Sequence, residues 1–401
     1  MAAMLNAAMS NSAATVRLGS DLLLASPRLH GARVGLVCNH ASVDHGFVHI
    51  VDRLAADSRI RLNAIFGPQH GFRSDVQDNM IETPHQDDPG RRVPIYSLYS
   101  ETRQPTAEML RDLDVLVIDL QDIGARIYTY IYTMANCLRA CARHGVDVIV
   151  CDRPNPIGGL AVEGPMLMAG YDSFVGQFPI PMRHGMTIGE LARFFNEHFA
   201  INATLAVIDM EGWSREMYGD ATGHPFVMPS PNIPTLDSAI VYPGTVLFEG
   251  TMASEGRGTT RPFELVGAPW VEAEKFAALM NARHLPGVHF RPAVFEPTFQ
   301  KHAKKTCGGC QIHVLDRVAF KPVVTGVALI DEIRAADPGA FAWRPAPYEY
   351  EHDKEPIDIL SGSPALRTAI DAGVRAEELA RTWAIESQPF EKLREQYLVY
   401  T

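Results

Sequence analysis

Five short runs of mostly β-branched and aliphatic residues, at 33–39, 62–66, 93–96, 115–119 and 146–152, each give way to glycine or to polar side chains. Continuous apolar runs, as opposed to alternating ones, are the pattern of strands buried on both faces. A helical pattern over 129–144 separates the last two. Strands and helices in that rhythm build βαβ units, and so predict a parallel sheet covered on both sides. Ligands of such sheets bind outside the carboxyl ends of the strands. Asn39, Gln69 with His70, Asp119 with Asp122, and Asp152 with Arg153 all follow directly on apolar runs, which puts them on one rim.

A dinucleotide site is the habitual occupant of that rim, but no G-x-G-x-x-G follows the first run and no G-K-[ST] loop occurs. No nucleotide cofactor is therefore expected. Cys307-Gly308-Gly309-Cys310, followed by His313, invites a zinc reading, yet a second pair of ligands is absent and no metal is expected. The formal charge of −11 and the lack of clustered Lys and Arg argue against a nucleic-acid partner. No stretch reaches the roughly 18 apolar residues of a membrane span. The first ten residues lack the basic and apolar regions of a secretion signal. Six scattered cysteines, mostly within apolar runs, suit reduced core thiols, so the expected compartment is the cytoplasm.

A chain of 401 residues divides into about two or three domains. The predicted division is a disordered stretch at 1–20, a Rossmann-like domain at 21–260 and a smaller α+β domain at 261–401. The second carries strand-like runs at 287–292 and 311–314 and helical patterns near 323–336, 365–372 and 377–385. Tyr128, Tyr130 and Tyr132 fall in the helical pattern, and most of them are expected to pack in the core.

Six longer strings carry a family resemblance: Gly67-Pro68-Gln69-His70-Gly71, the stretch 119–130, Asp152-Arg153-Pro154-Asn155-Pro156-Ile157-Gly158-Gly159, Arg183-His184-Gly185-Met186-Thr187, Pro229-Ser230-Pro231-Asn232-Ile233-Pro234, and Glu249-Gly250-Thr251 leading into 254–259. In this order, over nearly the whole chain after about residue 30, they resemble the NamZ-type exo-β-N-acetylmuramidases of peptidoglycan turnover. The resemblance implies a Rossmann-like catalytic domain, an auxiliary C-terminal domain, and a cleft between them that releases N-acetylmuramic acid from a non-reducing end. It implies no nucleotide and no obligatory metal. It also implies a glutamate at position 69, the family's leading candidate for a catalytic carboxylate, where this chain carries Gln69.

An amide donates and accepts hydrogen bonds but does not shuttle protons at neutral pH, whereas glycoside hydrolysis ordinarily uses two carboxyl groups. Asp119, Asp122, Asp152, Glu163, Glu249 and Glu255 remain on offer. Glu255 is the preferred catalytic carboxylate, since its glycine-flanked loop allows close approach of a ligand; an arginine-paired loop brace is the competing reading. His70, beside Gln69, is a candidate for proton transfer, as is nearby Glu82, and His184 shares the His-Gly pattern; structural hydrogen bonds serve either histidine equally well.

Asp119 and Asp122 are read as shaping the site, with Arg126 holding either carboxylate, and Asp122 alternatively capping a helix that begins near Ala125. The stiff loop after Asp152 presents Arg153 and Asn155, and Arg153, Arg183 or Arg257 can fork onto the lactyl carboxylate of a muramic acid. Asn39, Arg73 and Asn232 complete the expected substrate-binding set. The substrate is thus a small carbohydrate, an amino sugar or muropeptide fragment, and a sugar-binding protein with impaired chemistry on the same scaffold is the alternative.

Overall fold

A computed structural model describes residues 15–78 and 80–401. Residues 1–14, part of the stretch expected to lack order, lie outside the described residues. From there on, the Val16 N–H donates to Thr222 O and Gly19–Leu24 is helical. The strands are β1 (Arg33–Cys38), β2 (Arg61–Gly67), β3 (Gln86–Asp88), β4 (Val93–Ser97), β5 (Val115–Asp119), β6 (Asp147–Cys151), β7 (Glu163–Met166), β8 (Pro181–Arg183), β9 (Leu205–Ile208), β10 (Leu265–Ala268), β11 (Val288–Phe295) and β12 (Cys307–Val314).

The main sheet runs β3-β4-β2-β1-β5-β6-β9, and every neighbouring pair is parallel except β3 with β4. This is the expected Rossmann-like order, in which the chain winds outward from β1 on one side and then returns to start again at β5. The reversal leaves a crevice beyond the carboxyl ends of β1 and β5. Strand alternation sorts the side chains by face. Leu36 and Val117 enter one apolar cluster, and Val37, Leu116 and Ile118 enter the larger cluster on the opposite face.

The larger cluster continues beyond the sheet through Val241, Phe263 and Val327 to Trp383. The C-terminal part has an antiparallel sheet in the order β10-β12-β11 and the expected helices at Pro322–Ala336, Ala365–Asp371 and Ala376–Glu386. Helix Leu236–Thr245 lies across helix Pro322–Ala336 at backbone distance, because a Cβ on Gly244 would stand 1.8 Å from Pro322 O. Two further ties hold the parts together. Arg126, fully buried, donates to the carbonyls of Pro165, Ile180 and Leu360, and the C-terminal Tyr400 hydroxyl donates to Asp152. Cys307 and Cys310 stand three residues apart on β12, so the strand's pleat turns them to opposite faces. Among the described residues no helix is long and apolar enough to cross a membrane.

Candidate active site

The crevice narrows to a polar cavity built from both halves of the chain. From the sheet side come Gln69 and His70, just past β2, and Tyr128, Thr129 and Tyr130 at the start of the long helix Tyr130–His144. Asn232 enters from the proline-rich segment. Glu249, Arg257, Phe263, Tyr348 and Glu349 close it from the C-terminal side. Several backbones here adopt a left-handed conformation without glycine: His70 (φ 71), Phe263 (φ 65), Glu349 (φ 45) and Tyr350 (φ 69). Such residues cost roughly 1–3 kcal/mol each and persist only where the surroundings impose them.

Glu349 and Tyr350 occupy the two central positions of a tight turn, closed by reciprocal backbone hydrogen bonds between Tyr348 and Glu351. Positive φ at both positions is the habit of a type I′ turn, normally filled by Asn-Gly. Here the turn carries a carboxyl inward instead. Glu349 is 3% exposed and accepts from the Tyr99 hydroxyl at 3.0 Å. Burial first, then the charge of Glu249, pushes its carboxyl up to about 7, against the pull of hydrogen bonds from Tyr99 and Gln69.

Glu249 is in the opposite state. Burial pushes it up, but Arg257 at 2.6 Å, with the Tyr348 hydroxyl at 2.7 Å, more than reverses this and holds the carboxyl below the usual range. Two carboxyl groups on one wall, driven apart in protonation, are the arrangement that acid/base chemistry uses. Gln69 lies between the elements: its Oε1 accepts from the Thr129 hydroxyl at 2.8 Å and its amide reaches Glu349. His70 gives Nδ1 to Val76 O at 2.7 Å, and burial lowers it to about 4, so it is a neutral ring at pH 7. Arg257 Nη1 and Asn232 Oδ1 are buried on the cavity wall with no hydrogen-bond partner among the described residues.

Of the residues singled out from sequence, Gln69, His70, Asn232, Glu249 and Arg257 line the cavity. Glu255 does not; it is buried behind the wall, on Lys301 Nζ at 2.6 Å and Arg257 Nε at 3.3 Å, in the position of a brace for Arg257. Arg126 holds no carboxylate but the three carbonyls named above. Asp122 accepts from Gly124 N and faces His184 Nε2 at 3.5 Å, closing a turn; the helix it was expected to cap starts only at Tyr130.

Asp119 forks onto Arg153 at 2.6 and 2.8 Å, which occupies that arginine. Arg183 and Asn155 donate to the carbonyls of Ile157 and Met186. Asp152 binds Thr187, Gly189 N and Tyr400, and burial pushes it up to about 7. Asn39 supports the floor through Tyr130 and Pro229 O, and Arg73 is exposed.

Sequence reasoning passed over Glu349. The one local cue was a pair of prolines, Pro345 and Pro347, stiffening the approach to an acid flanked by tyrosines.

Comparison with known proteins gives three concordant findings. Residues 34–237 match the family model described as exo-β-N-acetylmuramidase NamZ, N-terminal, and residues 240–400 match its C-terminal counterpart. The peptidoglycan β-N-acetylmuramidase NamZ of Bacillus subtilis (strain 168) is 46% identical over 387 residues, covering 96% of this chain and 91% of that protein. Two crystal structures of DUF1343 family proteins from Bacteroides fragilis NCTC 9343 share the fold. BF0371 is 37% identical with a TM-score of 0.87, and BF0379 is 28% identical with a TM-score of 0.73; each comparison covers 96% of this chain and 99% of the other.

Proposed function

Because this chain belongs to the exo-β-N-acetylmuramidase NamZ family, we propose that it is a glycosidase that removes a terminal β-linked N-acetylmuramic acid from peptidoglycan fragments. The observation that carries a mechanism is the pair Glu249 and Glu349 on one cavity wall. Glu349, whose carboxyl burial pushes up to about 7, is suited to protonate the leaving oxygen. Glu249, kept ionised by Arg257 and Tyr348, is suited to face the positive charge that develops on the sugar ring. Gln69 acts as a positioning group. It holds Glu349 and Thr129 together while the proton moves elsewhere.

Arg257 is the best candidate for the lactyl carboxylate, because its Nη1 is unpaired on the cavity wall, which neither Arg153 nor Arg183 lines. The six cysteines are buried and unpaired, which suits a reducing compartment, and we read the enzyme as cytoplasmic and recycling wall fragments.

The test is hydrolysis of a chromogenic β-N-acetylmuramic acid glycoside beside its N-acetylglucosamine analogue, which lacks the lactyl group. The expected result is turnover with at least about a tenfold preference for the muramic acid compound, the order of magnitude of one charge-assisted contact. Binding of both without turnover would favour a sugar-binding protein instead.

A further inference from the structure

A second, wider recess opens on the other side of Glu349. It is far wider and more open to solvent than the inner cavity, and Glu349 lines both. The tight turn explains how one residue serves two spaces: Glu349 is aimed inward, while the next residue, Tyr350, stays 48% exposed on the wall of the recess. The Arg103 guanidinium lies over the Tyr350 ring at 4.5 Å and over Tyr99 at 4.3 Å, and the Phe174 ring meets Tyr350 edge-on at 6.4 Å. Tyr350 is thereby a supported, rigid aromatic surface.

We infer that this recess is the leaving-group subsite and that Tyr350 is the platform for the sugar next to the terminal one. The inference rests on the glycosidase reading. A proton donor must stand where the scissile oxygen lies, between the unit being released and the rest of the substrate. Glu349 occupies the junction of the two spaces, so the narrow inner cavity receives the terminal unit and the open recess receives what leaves. An exposed ring with polar neighbours suits the C–H face of a pyranose, whose hydroxyls then reach the rim.

The rim also sets the charge of the occupant. Glu82, Glu101 and Glu351 are paired with Arg103, His85 and Lys354, and Arg103 and Arg139 have partners within the wall, so little charge on the rim is left uncompensated. A neutral acetamido sugar fits that balance.

The experiment compares kcat/KM for two substrates that share the terminal sugar: a muramyl-β-1,4-N-acetylglucosamine disaccharide and the glycosyl fluoride, whose one-atom leaving group does not reach Tyr350. Tyr350→Ala is expected to lower the ratio of disaccharide to fluoride efficiency at least tenfold, mainly through KM. Tyr350→Phe, which keeps the ring, is expected to restore the ratio to within twofold of wild type. Equal loss on both substrates, or a disaccharide loss carried by kcat instead of KM, would overturn the inference: fluoride leaves with little acid assistance, so a turn that merely misplaced Glu349 would lower the disaccharide kcat alone. A wild type that hydrolyses neither substrate would overturn the glycosidase reading beneath it, a result distinct from equal loss.

Discussion

Gln69 sits on the cavity wall beside Glu349. With its Oε1 committed to Thr129, its amide donates to Glu349 and stabilises the ionised form. Gln69→Glu would remove that donor and set a like charge beside the proposed acid, so the Glu349 pKa should rise by about one unit or more. The expected outcome is an alkaline limb of the kcat/KM profile displaced to higher pH; an undisplaced limb would argue against contact between the two groups in solution. Gln69, Asn232 and Arg257 were legible as letters in glycine- and proline-rich motifs. Glu349 was not, because in sequence it is one of 47 acidic residues and opens the charged stretch 349–355, which reads as a solvated turn. Its chemistry comes from burial against Tyr99 and Gln69, both far away in the chain. The same reason explains Glu255, whose glycine-flanked loop looked open to ligand but folds against Lys301.

Strands and helices with a strong pattern were the most readable level. The runs at 33–39, 62–66 and 115–119 became β1, β2 and β5, and the helix expected at 129–144 is Tyr130–His144 with Thr129 at its start. Short or half-buried pieces such as β3 and β9 were missed, since three or four residues carry too little periodicity to stand out. Close packing of elements was equally invisible, because a glycine in a helical pattern does not announce which backbone it meets. Gly326 meets Gly244, and a Cβ there would lie 2.3 Å from Gly244 O, with no flexible side chain to yield. Gly326→Ala should therefore destabilise the protein by about 1–3 kcal/mol despite its better helix propensity. Thermal denaturation would show this as a lowered Tm, and an unchanged or raised Tm would mean the two helices separate at no cost.

Across the whole molecule, several buried or half-buried carboxyl groups bias stability toward mild acid. Asp152 and Glu349 are pushed up to about 7 and Glu163 to about 6, burial being the first cause in each. A folded-state pKa above the unfolded one gives a contribution that is fully present below the unfolded pKa, near 4, and is lost as pH rises through 6–7. Glu249 works in the opposite sense at lower pH, because its folded pKa is depressed. Glu163→Gln keeps the acceptor used by Val324 N and should flatten the loss of unfolding free energy between pH 4 and 7 by about 2 kcal/mol, measured by denaturant titration at each pH. A slope equal to that of wild type would show that Glu163 titrates normally.

The central claim is that the proton reaches the leaving oxygen from Glu349 and not from Gln69. Its most direct test is the pH dependence of kcat/KM for the muramyl-β-1,4-N-acetylglucosamine disaccharide, whose sugar leaving group needs a proton, in wild type and Glu349→Gln. The account predicts a wild-type alkaline limb centred near 7 and, in the variant, a loss of about 10²–10⁴ at pH 6 with that limb gone. A variant that keeps near wild-type turnover and the same limb would contradict it.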